Sequence, residues 1–311
     1  MYKYVIKRLL LLIPVLIGVV FIVFFIMNLT PGDPGRLILG AGAEQEMVDK
    51  LNEQLGYNRP FFVRFFDYIK DIVTEFDFGI SYATQKPVVD DIMAKFPYTL
   101  KLSVGAVALS SVMGIILGVT AAVKQYSAVD SGITVLAMVT SVMPSYWLGM
   151  LLVFFLSIKL RLFPASGAST PLHYVLPILT LALCHVGQMM RLTRSVMLEA
   201  LRQDYVRTAW AKGVTEKMVI YGHALKNAMM PLVTRISTQL ALMMGGSVIT
   251  ETVFNIPGVG SYVVTAIRSK DIPAVMTCTL FIAALYCLIM LLMDILYAFV
   301  DPRIRAKYSG K

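Results

Sequence analysis

The chain has 311 residues and a formal charge of +9, yet only 15% of its residues are charged and 57% are hydrophobic, giving a mean hydropathy of +0.72. Soluble domains carry roughly 25% charged residues, so a water-soluble enzyme or binding module is excluded. An all-α integral membrane protein is expected, because the apolar residues come in blocks of bilayer-spanning length. The three cysteines, Cys184, Cys278 and Cys287, lie inside those blocks and read as small core residues rather than a disulfide or metal set.

In chain order, residues 9–29 form an uncharged first span preceded by Lys3, Lys7 and Arg8, with no small-residue cleavage site after it; it reads as a retained anchor. The run Thr30-Pro31-Gly32-Asp33-Pro34-Gly35 ends it. Residues 30–101 are mixed and polar, with helical spacing over 44–55 and 61–75 and Pro60 at a helix start. In this segment the pair Asp90 and Asp91, between Pro87 and Pro97, reads as solvated helix-end carboxylates. Further spans are expected at 102–123, at 133–158 with Pro144 inside, and at 174–190 with Pro177 and His185. The last two are expected at 232–249, opened by Pro231, and at 272–300. The expected organisation is residues 1–29 as tail and first helix, 30–101 as a long extracytoplasmic segment, and 102–311 as a five-helix core.

Six transmembrane helices put both termini on one side. With the termini inside, the inner segments hold Lys3, Lys7, Arg8, Lys124, the many basic residues of 191–231, Arg303, Arg305, Lys307 and Lys311. The two short outer loops hold only Lys159, Arg161, Arg268 and Lys270. The positive-inside rule therefore predicts an N-in, C-in, multi-pass protein. The basic excess is spread over several inner segments, so it marks a membrane orientation and not a nucleic-acid surface.

Residues 191–231 are too polar for lipid and lie between two apolar spans. Apolar positions recur at helical spacing at Met197, Leu198, Leu201, Tyr205, Val206, Ala209 and Trp210; Gly213 interrupts, and Thr215 caps a restart. Two short helices meeting at Gly213 are expected, since glycine permits positive φ. Periodicity alone leaves open an amphipathic helix lying on lipid headgroups.

The stretch Arg207-Thr208-Ala209-Trp210-Ala211-Lys212-Gly213, followed by His223-Ala224-Leu225, resembles the EAA loop of ABC-importer permeases. That pattern is Glu-Ala-Ala, three residues, Gly, nine residues, Ile, one residue, Leu-Pro. Ala209, Gly213 and Leu225 match; Arg207 and Thr208 replace Glu-Ala, His223 replaces Ile, and Lys226 replaces Pro. These departures resemble the dipeptide/oligopeptide/nickel subfamily, as do Asp204-Tyr205-Val206 before the stretch and Lys226-Asn227-Ala228 with Pro231 after it. Trp210 stands where a basic residue is more usual. Leu55-Gly56-Tyr57-Asn58-Arg59-Pro60, Phe76-Asp77-Phe78-Gly79-Ile80-Ser81, Phe163-Pro164-Ala165-Ser166-Gly167, Glu251 through Gly260, and Asp301-Pro302-Arg303-Ile304-Arg305 extend the resemblance over the whole chain. The N-terminal long outer segment is similar to that of the B-type permease.

The resemblance implies a permease subunit in a prokaryotic inner (cytoplasmic) membrane. Its partners would be a second homologous permease, two cytoplasmic ABC ATPases, an extracytoplasmic solute-binding protein and membrane lipid. The cargo would be di- or oligopeptides or, on the same machinery, nickel and other metal chelates, opine-type metallophores or glutathione. The loop from Asp204 through Gly213, with His223, Leu225 and Lys226, would dock the ATPases. ATP and Mg would be held by those subunits, leaving no cofactor, metal or catalytic residue on this chain.

The residues themselves agree with an outside energy source. No GxxxxGK[ST], HExxH, CxxC pair or Gly-x-Ser-x-Gly occurs. Ionisable residues inside spans are few: His185; Arg235, read as one turn from the inner surface; and Asp294, a candidate partner for it. An ion-coupled carrier or channel, the remaining alternative, would need an acidic relay or internal repeats. Candidate path residues are His185, the prolines Pro144 and Pro177 as kinks, and the adaptable Met243 and Met244.

Overall fold

The computed structural model describes residues 2–29, 34–40 and 42–300, which leaves the turn at Thr30–Asp33 and the Asp301–Arg305 motif outside the described residues. The described chain is helical, with one isolated bridge between Ile80 and Pro87 and no strand ladder among the described residues. The helices are α1 (Tyr2–Leu29), α2 (Pro34–Leu39), α3 (Gln45–Gln54), α4 (Phe61–Glu75), α5 (Val88–Val123), α6 (Ala128–Val142) and α7 (Ser145–Leu152). A π-helical stretch (Val153–Lys159) and a 3-10 turn (Pro171–Tyr174) follow. Then come α8 (Val175–Leu201), α9 (Asp204–Ala211), a second π-helical stretch (Met218–Leu225), α10 (Lys226–Gly246), α11 (Val248–Val253), α12 (Val259–Arg268) and α13 (Ile272–Val300).

Among the described residues, four helices are long and apolar enough to cross a membrane: 9–29 of α1, α5, the helical run 171–201 that ends as α8, and 272–293 of α13. A fifth span is reached by counting the bent pair of α6 with α7 and its π-helical extension. α10 is not among them, because Arg235 and Gln239 and the hydroxyls of Thr234, Ser237 and Thr238 break its apolar run.

Three boundaries differ from the sequence expectation. The second span was expected from residue 102, yet α5 starts at Val88 and runs through Pro97. Its first turns carry Val88 and Ile92, one turn apart, both buried against Val259, Tyr262 and Val275, so tertiary packing holds a helix where the polar residues suggested a loop. Residues 133–158 were expected as one kinked span, but the chain breaks at Met143-Pro144 and turns by 104°. Met143 is extended (ψ 128°), as the residue before a proline tends to be, and Pro144 caps α7. Pro231, expected to open the fifth span, lies inside α10, which starts at Lys226.

The chain forms two compact units. The first comprises the described residues up to Thr99 and from Pro257 onward. In it α1 packs on α13 and α4, with Val20, Phe65 and Met276 buried together and Phe21, Phe24, Phe61 and Phe65 forming an aromatic cluster. The second runs from Leu100 to Ile256, with α8 at its centre contacting α6, α7 and α10. α6 and α8 approach so closely at Gly187 that a Cβ there would overlap the carbonyl of Ala137.

Candidate functional site

The polar segment after α8 folds into a closed elbow. α8 extends to Leu201, well beyond the expected end of its span at 190, and a two-residue turn leads into α9. α9 ends in a Schellman motif. The Gly213 N–H donates to Trp210 O at 3.0 Å and the Val214 N–H reaches back to Ala209 O at 3.3 Å. This closure requires the left-handed region at Gly213, whose φ is +75°. The helix restarts after Thr215, whose carbonyl accepts from Val219 N at 3.0 Å, and widens into the π-helical stretch before entering α10. π-Turns recur at functional sites because they re-aim side chains.

An apolar stripe anchors the elbow. Val206, Ala209, Val219, Ile220 and Ala224 are buried with Met197 and Ala200 of α8 and Val119 and Ala122 of α5. A helix lying on lipid would turn this stripe outward to the membrane; here it faces protein. Outward stand Asp204 (side chain 99% exposed), Arg207 (76%), Tyr205, Thr208, Trp210, Ala211, Lys212 and Lys226. Arg207 and Asp204 pair only weakly at 3.8 Å, so both remain available to a partner. His223 and Leu225 are half-buried on the second arm, and His223 O accepts from the Asn227 side chain at 2.8 Å.

Beside the elbow, a groove of about 960 Å³ runs between α6 and α8, lined among others by Asp130, Arg191, Arg194, Glu199 and Arg202. Asp130 lies in the first turn of α6, behind the N-cap Ser127. It takes Arg194 Nε and Nη2, each at 2.7 Å, and the Tyr126 N–H at 3.0 Å.

The candidate path residues are scattered. His185 is half-buried with Nδ1 2.9 Å from Leu181 O. Pro144 is exposed at the break before α7; Pro177 is buried in the first turn of α8, where a proline removes no helical bond and makes no kink. Met243 and Met244 are buried within the second unit. Arg235 is the tenth residue of α10, and its guanidinium bonds Gln188 Oε1 on α8. The side chain of Asp294 lies outside the described residues.

Several polar residues in the structure were not singled out by sequence. Asp271 is buried at the N-terminus of α13 and accepts from Ser81 Oγ (2.5 Å), Ala83 N (3.1 Å) and Ala274 N (3.2 Å). The signal for it was an Asp just before Ile272-Pro273, the pattern of an N-cap with proline in the first turn. Burial and the Asp271 carboxylate push the Tyr82 phenol up to about 12. Asp91 is more than a solvated carboxylate: it accepts from Thr84 Oγ1 (2.7 Å) and Tyr262 OH (2.9 Å), while Asp90 is exposed. Burial, then the bond to Asp91, raise the Tyr262 phenol above its ordinary value. In the second unit Glu251 is fully buried and accepts from Ser247 Oγ at 2.7 Å, and Gln239 donates to Ser110 Oγ at 2.8 Å.

A helical membrane chain with a glycine-closed polar elbow between two of its long helices has the features of a transporter's membrane subunit. Residues 114–306 match the family described as "Binding-protein-dependent transport system inner membrane component", and residues 1–103 match its companion, "Binding-prot-dependent transport system membrane comp, N-term". The chain belongs to this family of inner-membrane permeases and is an ABC-importer permease of the dipeptide/oligopeptide/nickel type. It is 39% identical to the glutathione transport system permease protein GsiC of Escherichia coli (strain K12) over 307 residues, covering 99% of this chain and 100% of that one. The same-named proteins of Salmonella choleraesuis (strain SC-B67) and Shigella flexneri serotype 5b (strain 8401) are 39% and 38% identical over the same coverage.

Proposed function

We propose that this permease forms half of a translocation path for small peptides, glutathione among them, and that the elbow at 191–231 receives the motion of separate cytoplasmic ATPases. The observation that carries this reading is the elbow itself. Its buried stripe fastens it to α5 and α8, while Asp204, Arg207 and Trp210 stand outward around a backbone fixed by Gly213. A rigid projection anchored to two long helices can pass a displacement on to them; a mobile loop cannot.

In this reading the chain spans the membrane six times, N-in and C-in, with α10 as the fifth crossing. A second permease completes the path, and ATP with its Mg is hydrolysed on the ATPases. A solute-binding protein delivers cargo from outside. The peptide assignment draws on the name of the relatives, and glutathione is itself a tripeptide. Nucleotide-driven closure of the ATPases favours one membrane conformation because it contacts the elbow differently in the two states.

The test is expression of the chain with its neighbouring genes, purification in detergent, and reconstitution into vesicles. The expected result is co-purification of an ATPase and ATP-dependent uptake of labelled glutathione or a tripeptide. A complex that never retains an ATPase overturns the importer assignment. One that retains it but takes up only a nickel chelate overturns the peptide assignment alone.

A further inference from the structure

Arg235 lies well inside α10. It is the tenth of the 21 residues of α10, about two and a half turns from its start and about three from its end. Its partner Gln188 is the fourteenth of the 27 residues of α8, also mid-length. Gln188 is exposed and Arg235 half-buried, so the pair is not sealed in the core. Arg235 has no carboxylate within ion-pair distance among the described side chains.

The surroundings are polar as well. Thr238, one turn after Arg235, shares its helix face and is not buried. Its hydroxyl donates back to Thr234 O of the same helix. On α8, His185 lies one turn before Gln188. The exposed side chains of α1 make the contrast: Leu10, Ile13, Ile22 and Ile26 are what a lipid-facing helix presents.

With α10 as a crossing helix, as proposed above, a guanidinium facing lipid would be costly, and such residues face a water-filled cavity or a ligand instead. Gln188 occupies part of the Arg235 donor fork and orients the rest. The remaining N–H groups form the planar, two-pronged array that matches a carboxylate.

We propose that the exposed face shared by α8 and α10 is the wall of the translocation path, and that Arg235, held by Gln188, receives the carboxylate of the passing peptide. This rests on the importer reading above and adds a contact residue and a ligand chemistry to it. Every free peptide carries a C-terminal carboxylate, so one fixed cation serves cargo of varied side chains. A single hydrated charge contact also holds cargo weakly enough to release it.

The test uses the complete reconstituted importer with its binding protein. Uptake of a tripeptide with a free C-terminal carboxylate is compared with uptake of its C-terminal amide, in wild type, Arg235→Gln and Arg235→Lys. The binding protein is the same throughout, so its own preference cancels in the acid-to-amide ratio between variants. Arg235→Gln is expected to lower uptake of the acid at least tenfold and to collapse the ratio relative to wild type, with Arg235→Lys restoring much of both. In parallel, Thr238→Cys, in a background with the native cysteines replaced, is expected to react with a membrane-impermeant thiol reagent and to be protected by peptide.

An Arg235→Gln importer with the wild-type ratio overturns the proposal and leaves the importer reading standing. Failure of the wild-type complex to take up peptide counts against that reading instead. If Arg235→Gln fails to assemble, the thiol labelling decides: a Thr238→Cys side chain unreactive in every nucleotide state places this face against the partner permease or lipid and overturns the proposal.

Discussion

Asp130 and Arg194 meet in a two-pronged ion pair, Nε to Oδ1 and Nη2 to Oδ2, both at 2.7 Å. The Asp130 side chain is 6% exposed and that of Arg194 27%, so the pair is desolvated on its acidic side and open on its basic side. It bolts the start of α6 to the part of α8 that leads into the elbow. A displacement of the elbow that moves α8 therefore moves α6 with it.

Removing one partner of a buried pair strands the other; a fully buried case costs about 3–5 kcal/mol, and the open side of Arg194 lowers the expectation for Asp130→Ala to about 2 kcal/mol. Arg194→Lys loses the second prong, with an expected cost of about 1 kcal/mol. Thermal unfolding of the purified complex in detergent, run as a double-mutant cycle with Arg194→Ala, measures the coupling. Additive single effects would mean that the pair contributes nothing of its own.

Gly213 is required for its conformation rather than for space, because a Cβ built there meets nothing within 4 Å. Gly213→Ala is thus expected to cost about 1–2 kcal/mol in the elbow from left-handed strain alone. Gly213→Asn is expected to cost less, since Asn tolerates this region. Gly213→Pro is incompatible: the ring fixes φ near −65° and removes the N–H that bonds Trp210 O. The expected outcome is normal membrane insertion with loss of ATP-dependent uptake, and normal uptake by this variant would sink the coupling role.

Where the sequence was legible, the signal was local. Gly213 interrupts a 3.6-residue periodicity, and the elbow bends there. Pro60 opens α4, and apolar runs of spanning length become α1, α5, α8 and α13. What stayed hidden depended on contacts distant in the chain. Val88 and Ile92 look like loop residues until α12 and α13 cover them. The carboxylates of Asp130, Asp271 and Glu251 resemble solvated ones, because their partners or their burial appear only in the fold. The start of α10 was hidden too: hydropathy started the fifth span at residue 232, whereas the helix starts at Lys226.

Asp271 holds the hook of residues 77–87 onto the start of α13. Besides its own bonds, Thr277 Oγ1 donates to Phe78 O at 2.7 Å, and Val88 N donates to Gly79 O at 3.1 Å to close the hook. Asp271→Ala strands Ser81 Oγ and two backbone N–H groups at once, and at about 1–3 kcal/mol for a group left unsatisfied the expected loss is about 2–4 kcal/mol. Asp271→Asn keeps one acceptor oxygen and is expected to lose less. Limited proteolysis supplies the local readout: cleavage within 77–87 is expected to accelerate in Asp271→Ala, and an unchanged cleavage pattern would contradict the role.

Tyr262 gives a pH prediction. Its phenol is raised above the unfolded value of 10.0, chiefly by burial and then by its hydrogen bond to Asp91. Folding thus favours the protonated form, so the contribution is fully present below pH ~10 and is lost as pH rises above it. Tyr262→Phe removes the hydrogen bond, with an expected cost of about 1 kcal/mol near neutral pH. The difference in melting temperature between wild type and Tyr262→Phe should shrink as pH rises past about 10. A gap that widens there would reverse the assignment.

Phe254 ties two motifs together. Its carbonyl accepts from Gly167 N at 2.8 Å, joining Phe163–Gly167 to Glu251–Ile256, and its ring is 1% exposed against Gly149 of α7. The backbone bond survives any side-chain change, so substitution isolates the ring's packing. Phe254→Ala leaves a cavity and is expected to cost about 3–5 kcal/mol, whereas Phe254→Leu keeps most of the volume and is expected to cost about 1 kcal/mol. Gly149→Ala attacks the same contact from the other side, because the added Cβ would sit 3.1 Å from Phe254 Cε2. Combined with Phe254→Leu, whose shorter side chain makes room for that methyl, Gly149→Ala is expected to cost less than the sum of the two changes. Strict additivity in the thermal unfolding of the detergent-purified complex would show that the two residues do not share one packed contact.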